Sequence, residues 1–261
     1  MSRFADRYGP WALVAGASAG LGAAFARALA GRGLNLVLAA RRADALEEVA
    51  GSLGQVQTVR VVADLATEDG LASVTAACAD LPIGLVVCNA AYSPIGRFID
   101  LPTEDALQAL NLNARAPMLL ARHFLPPMVA RGRGGLVVMS SLSGMQGSPP
   151  ITVYAATKAF GAILAEGLWA ELRGTGVDVV TALAGAIETP GLVASKPVRA
   201  PGTLSAEKVA EAALRGLGHG PRVVPGLTMK LSAALMSRLP RRTAITVIAR
   251  ASRDLTPPTA S

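Results

Sequence analysis

Short apolar runs alternate with longer amphipathic stretches along most of this chain. Runs rich in valine, leucine and alanine stand at "WALVAGA" (11–17), "LNLVLAA" (34–40), "QTVRVVAD" (57–64), "GLVVCNA" (84–90), "GGLVVMS" (134–140) and "VDVVTAL" (177–183). Between them, 21–31, 43–51, 68–79, 103–130 and 153–173 carry helical spacing. Continuous apolar runs, rather than strict alternation, are what a strand buried on both faces requires. Strands alternating with helices predict an α/β fold, a parallel sheet with right-handed crossovers and helices on both faces. A last short strand with its turn is expected at "RVVPG" (222–226). The chain reads as one domain over 1–261, with a core from 1 to 183 and a lid and helical segment from 184 to 261. Ligands in such sheets bind beyond the C-terminal ends of the strands, so chemistry is sought there.

Composition narrows the possibilities. The chain has 261 residues, 51% of them hydrophobic, enough for a sizeable core. Two cysteines, Cys78 and Cys88, and two histidines, His123 and His219, support neither a disulfide framework nor a metal centre. The cysteines read as core residues of a reduced, cytoplasmic protein. Trp11 to Ala26 is uncharged behind Arg3 and Arg7, but Asp6 and the glycines that follow argue against a secretory leader. The formal net charge is +7, and much of the excess lies in Lys230, Arg238, Arg241, Arg242, Arg250 and Arg253. With three tyrosines, five phenylalanines and no nucleic-acid motif, nucleic acid is not the expected partner. A solvated basic face is the preferred reading of that charge, and contact with a membrane surface or an acidic partner the second.

Two stretches carry chemistry. "GASAGLG" ends the first run, with Gly16, Gly20 and Gly22. Glycines there let the backbone approach a phosphate, and the next helix offers free N–H groups. The spacing is Gly-x-x-x-Gly-x-Gly rather than the commoner Gly-x-Gly-x-x-Gly, and alone it also fits an ordinary turn. "YAATK" places Tyr154 and Lys158 one helical turn apart. A cation some ~4 Å from a phenol favours the phenolate by about 4 kcal/mol at an effective dielectric of 20. That amounts to two or three pKa units (roughly 1.4 kcal/mol each), enough to make a tyrosine a working acid–base. Without other motifs the pair would be a solvated helix surface.

Taken together and in order, "GASAGLG", "CNAA" (88–91), Asn113 in "NLNARAP", "MSSLSG" (139–144) and "YAATK" resemble the short-chain dehydrogenase/reductase family over roughly residues 9 to 190. The resemblance implies a Rossmann-type fold and a carbonyl reductase or alcohol dehydrogenase, commonly a homodimer or homotetramer. Tyr154 would then be the acid–base, and Lys158 would tune it and bind the nicotinamide ribose. Ser141, thirteen residues before Tyr154, would orient the substrate oxygen, with Ser140 and Ser143 as rivals. Asn113 would relay protons toward the lysine, with Asn111 as the alternative register. Cofactor contacts would come from Gly16, Ser18, Gly20, Leu21, Gly22, Asp64, Leu65, Asn89, Ala90, Ile187 and Thr189. The same fold serving as a catalytically silent, regulatory nucleotide binder is the competing reading.

The second strand ends at Ala40, followed by Arg41 and Arg42. Members of the family that prefer NAD carry an acid there, whereas arginine suits a 2′-phosphate, so NADP is the expected cofactor. Arg41 leads, with Arg42 possible. Ala91 replaces the family's usual glycine and Ala184 its usual proline, which puts the shape of both cofactor-side turns in question. The stretch 190–205, rich in proline and glycine, reads as a substrate lid or an inert loop. Leu231, Leu235 and Leu239 form a stripe beside basic residues. Packing against the domain's own core is the preferred reading. A roof over the substrate, a subunit contact and a membrane surface stay open.

Overall fold

The computed structural model describes residues 3–188 and 203–251. Helix α1 (Arg3–Tyr8) leads into β1 (Trp11–Ala15), α2 (Gly20–Ala30), β2 (Asn35–Ala40), α3 (Ala43–Gly51), β3 (Thr58–Val62), α4 (Glu68–Ala77) and β4 (Ile83–Cys88). Then come α5 (Thr103–Leu110), a π-helical turn (Asn111–Arg115), α6 (Ala116–Ala130), β5 (Gly134–Ser141), a 3-10 turn (Leu142–Met145), α7 (Thr152–Glu171) and β6 (Val177–Ala184). The two-residue strands β7 (Ile187–Glu188) and β8 (Leu204–Ser205) are followed by α8 (Ala206–Gly216), β9 (Arg222–Val223), α9 (Leu227–Arg238) and α10 (Arg241–Ala251).

The main sheet has seven strands in the order β3-β2-β1-β4-β5-β6-β9, and every neighbouring pair is parallel. This is the doubly wound, Rossmann-type architecture expected from the alternating pattern. The order reverses between β1 and β4, so a crevice opens there at the C-terminal edge. β1 and β4 are buried along their whole length, which explains their unbroken apolar sequence. On one face Phe25 and Leu29 of α2 are fully covered, as are Leu36 and Leu38 of β2. Burying a side chain of that size contributes about 1.5–3 kcal/mol. On the other face Leu120, Phe124 and Met128 of α6 pack among Leu13, Val86 and Leu136.

Several expectations are revised. The helix expected over 103–130 is interrupted by the π turn, whereas the short last strand expected within 222–226 is present as Arg222–Val223 with its turn after it. Helices α1 and α8 were not anticipated. α1 is pinned to the sheet by Tyr8, whose hydroxyl donates to Asp178 at 2.6 Å, while Arg7 pairs with the same carboxylate at 2.7 Å. α8 buries Val209, Ala210, Ala213 and Leu214 and runs beside α2, with Arg32 and Glu211 paired at 2.6 Å. Of the expected lid, Leu204–Ser205 form β8, paired with β7, and most of the rest lies outside the described residues. Two of the three leucines of the stripe do not pack inward: Leu231 is 64% and Leu235 63% exposed, while Leu239 is half-buried and lines a second cavity.

Candidate active site

A cavity of about 650 Å³ runs along the C-terminal edge of the sheet. At one end lies the turn between β1 and α2. Gly16 has φ +90°, in the left-handed region, and a Cβ there would lie 2.6 Å from the Ala90 backbone. Gly22 is tighter still, since its Cβ would fall 1.8 Å from the Gly16 carbonyl oxygen. The turn is held from the other side by Asn89, whose Nδ2 donates to that same carbonyl at 2.9 Å. Ser18, Gly20 and Leu21 line the cavity at the opening of α2, where unpaired N–H groups favour an anion.

Arg41 and Arg42 line the cavity where β2 ends, and both are exposed. Arg41 reaches toward Asp64, Nη1 to Oδ2 at 4.0 Å, and Asp64 Oδ1 accepts from the Ala66 N–H. Asp64, Leu65, Ala90 and Ile187 complete this wall. Thr189 lies outside the described residues. A glycine cradle at a helix N-terminus fits the pyrophosphate of a dinucleotide, and two exposed arginines stand beside it, Arg41 at the limit of pairing with Asp64.

The other end is built by β5 and α7. Tyr154 and Lys158 occupy successive turns of α7, on the side that faces the end of β5. Ser140 is buried and its hydroxyl donates to the Lys158 carbonyl at 2.8 Å, so it serves the helix backbone. Ser141 instead faces the Tyr154 phenol, whose pKa it draws downward, and its hydroxyl donates to Ser143 Oγ at 3.3 Å. Its oxygen also accepts from the Ser143 N–H at 3.2 Å, fixing it as the cap of the 3-10 turn. Geometry therefore separates the three serines: Ser141 meets the tyrosine, and Ser143 supports it.

The electrostatics differ from expectation. Lys158 is buried and its Nζ donates to the Met139 carbonyl at 2.9 Å. It stands 5.6 Å from the Tyr154 ring centroid. Burial pushes the lysine down to about 8, because its charged form has lost its water. The nearby Cys88 thiol is pushed up to about 12, again by burial, and gives Lys158 no anionic partner at neutral pH. The Tyr154 phenol is raised by burial, with the Ser141 hydroxyl acting in the opposite direction. A lysine that depresses its tyrosine through proximity alone is thus not what this geometry holds. Desolvation outweighs the charge.

Asn113 sits in the π turn, where one extra residue per turn rotates it inward. Its Nδ2 donates to the Tyr92 carbonyl at 2.7 Å and to Thr157 Oγ1 at 3.0 Å, and its Oδ1 accepts from the Tyr92 N–H at 2.8 Å. The amide thus clamps the loop after β4 to the residue preceding Lys158. Asn111, the other register, is not in this network. Tyr92, Thr157 and the Met139 carbonyl escaped sequence reasoning: two act through backbone atoms, which no side-chain pattern marks.

The two departures from the family pattern are accommodated. No non-glycine residue among those described has a positive φ, so Ala91 lines the cavity without left-handed strain. Ala184 ends β6 in regular pairing with Ser141, and the following Gly185 also lines the cavity.

Comparison with known proteins agrees with this geometry. The family model for short chain dehydrogenases matches residues 10–198. A 7beta-hydroxysteroid dehydrogenase of Collinsella aerofaciens is 31% identical over 230 residues, covering 85% of this chain and 88% of that protein. A human very-long-chain 3-oxoacyl-CoA reductase is 32% identical over 244 residues, covering 89% and 76%. A short-chain dehydrogenase from Sphingobium yanoikuyae, solved in complex with NADPH, superimposes with a TM-score of 0.77 at 30% identity, covering 89% of this chain and 97% of that one. With the sheet order, the glycine turn and the Ser–Tyr–Lys end of the cavity in place, the chain belongs to the short-chain dehydrogenase/reductase family of oxidoreductases.

Proposed function

We propose that the protein is an NADP(H)-dependent reductase that interconverts a carbonyl and a secondary alcohol on a bulky, largely apolar substrate. One observation carries this reading: Ser141, Tyr154 and Lys158 close one end of a cavity whose other end is the glycine turn with Arg41 and Arg42. The glycine turn would hold the pyrophosphate, Arg41 and Arg42 the 2′-phosphate, and Lys158 the nicotinamide ribose. When bound, the cofactor supplies the hydride. Tyr154 supplies the proton, from Oη to the carbonyl oxygen, and a phenol whose pKa is raised by burial keeps that proton at neutral pH. Ser141, facing the phenol, hydrogen-bonds the substrate oxygen, and so positions the acceptor beside the donor. Asn113 acts as a positioning residue through Thr157.

The apolar substrate is supported by the loop after β4. It is tied by the Gly96 N–H to the Pro150 carbonyl at 3.0 Å, close to Tyr154 in the chain, and presents Ile95, Phe98 and Ile99 to solvent. The relatives named for a steroid and for very-long-chain acyl groups are in keeping with that surface. The protein would work as a homodimer or homotetramer.

The test is cofactor oxidation with NADPH and NADH against ketones, steroids and 3-oxoacyl thioesters. Turnover should depend on NADPH, and Tyr154→Phe should lower kcat by about 10²–10⁴. Arg41→Ser should raise KM for NADPH and leave that for NADH unchanged. Tight NADPH binding without turnover anywhere on the panel would instead make the protein a silent nucleotide binder.

A further inference from the structure

Leu227, Leu231 and Leu235 of α9 are 73%, 64% and 63% exposed. At about 100° per residue they fall within a sector of about 80°. Ala233 is buried on the opposite side, and the inner Met229 packs at Gly185, where an added Cβ would lie 2.6 Å from its sulfur. Arg238 falls inside the leucine sector and Lys230 beside it. The charge around this stripe has one sign. Residues 212–253 contain eight lysines and arginines and no aspartate or glutamate, against a net charge of +7 for the whole chain. Arg222 pairs with Glu166 and Arg215 with Glu211. Arg238 and Arg241 donate to the backbone carbonyls of Ala234 and Met145 and so stay uncompensated. Lys230, Arg242 and Arg250 are exposed and have no carboxylate partner among the described residues.

We propose that the outer face of α9, with the cations of α9 and α10, is a docking surface for a membrane carrying anionic headgroups. A leucine stripe with cations in and beside it is the form of a helix that lies on a bilayer. No helix among the described residues is long and apolar enough to cross one. Charge selects the lipid over a second copy of the chain. A two-fold contact through this stripe would bring Lys230 and Arg238 against their own counterparts, whereas anionic headgroups neutralise them. α9 follows β9 at the C-terminal edge of the sheet, and Met229 reaches Gly185 on the cavity wall. Docking would therefore hold the cavity near the lipid, a source of apolar carbonyl compounds. The docking itself does not depend on the proposed reaction.

The experiment is sedimentation of the full chain with extruded vesicles of phosphatidylcholine alone, or with a minority of phosphatidylglycerol, at low and high salt. The chain should prefer the anionic vesicles by at least about tenfold, and salt should erode that preference. Lys230→Glu with Arg242→Glu should weaken binding by more than about tenfold. Leu231→Ser with Leu235→Ser should weaken it by about tenfold, with thermal unfolding and NADPH binding unchanged. Equal binding to both vesicle types, no binding at all, or an undiminished leucine variant would overturn the proposal. So would a leucine variant that lowers the mass in sedimentation velocity, because the stripe would then cover a second copy.

Discussion

At the scale of single residues, the Tyr154–Lys158 pair was legible because positions four apart share a helix face. The direction of its pKa shifts was not. Sequence spacing gives the separation of the two groups along α7, while the depth of the amine and its carbonyl partner depend on β5, which is remote in the chain. Lys158 titrates at 10.5 ordinarily and near 8 in the fold. Between those values the unfolded chain keeps a proton that the folded chain has released, so this group's contribution to stability rises with pH across that window. At about 1.4 kcal/mol per unit, the rise is roughly 3 kcal/mol. Urea titrations of wild type and Lys158→Met between pH 8 and 10.5 should differ by that growing amount; a constant difference would mean that the amine is solvated. The same titration bears on turnover. Reduction should hold steady through neutral pH and fall as pH passes about 8, where Lys158 loses its charge while Tyr154 still holds its proton.

At the scale of elements, apolar runs placed the six long strands and most helices to within a few residues. The π turn was hidden because Thr103 to Ala130 keeps helical spacing throughout; what breaks the regular ladder is where Asn113 meets Tyr92 and Thr157. Helix α8 is different. Its spacing of Val209, Ala210, Ala213 and Leu214 is present in the sequence, but it follows the last long strand, where strand–helix alternation no longer marks it. The β1–α2 turn shows how much of an element's chemistry is a matter of space. An alanine at Gly22 would put its methyl on the Gly16 carbonyl and press Asn89 Nδ2 at 2.9 Å. Gly22→Ala should cost about 1–3 kcal/mol in urea unfolding and abolish tight NADPH binding. Gly167, in α7 with nothing within 4 Å of an added Cβ, supplies the control. There the same change should gain about 0.5–1 kcal/mol. Matching losses at both sites would show that the turn is not specially crowded.

At the scale of the whole molecule, the sequence showed stripes but not their partners. Periodicity marks Leu231 and Leu235 and the leucines of α7 alike, and only the packed fold shows which of them face outward. Along α6 and α7, a groove of about 520 Å³ is lined by Met118, Leu125, Val129, Leu164, Leu168 and Leu172. Phe160, one turn before Leu164, is 43% exposed and extends the strip. Unlike α9, this strip has little charge along it: Arg122 is the one ionised side chain among the described residues that line the groove. A two-fold contact here would bury apolar area on both copies with a single arginine from each at its edge, closer to what a stable homodimer asks of its interface than the cation-flanked stripe of α9. On these two proposals the faces would divide the work, α6–α7 meeting a second copy and α9–α10 meeting lipid. Met118 is 39% exposed, so Met118→Asp should leave thermal unfolding close to wild type while placing a carboxylate in the groove. In sedimentation velocity at micromolar concentration the wild type should run as a dimer or tetramer and Met118→Asp at a lower mass. Its vesicle binding per chain should keep the same salt dependence. A monomeric wild type would remove the homo-oligomer, and an unchanged variant would move the contact to another face.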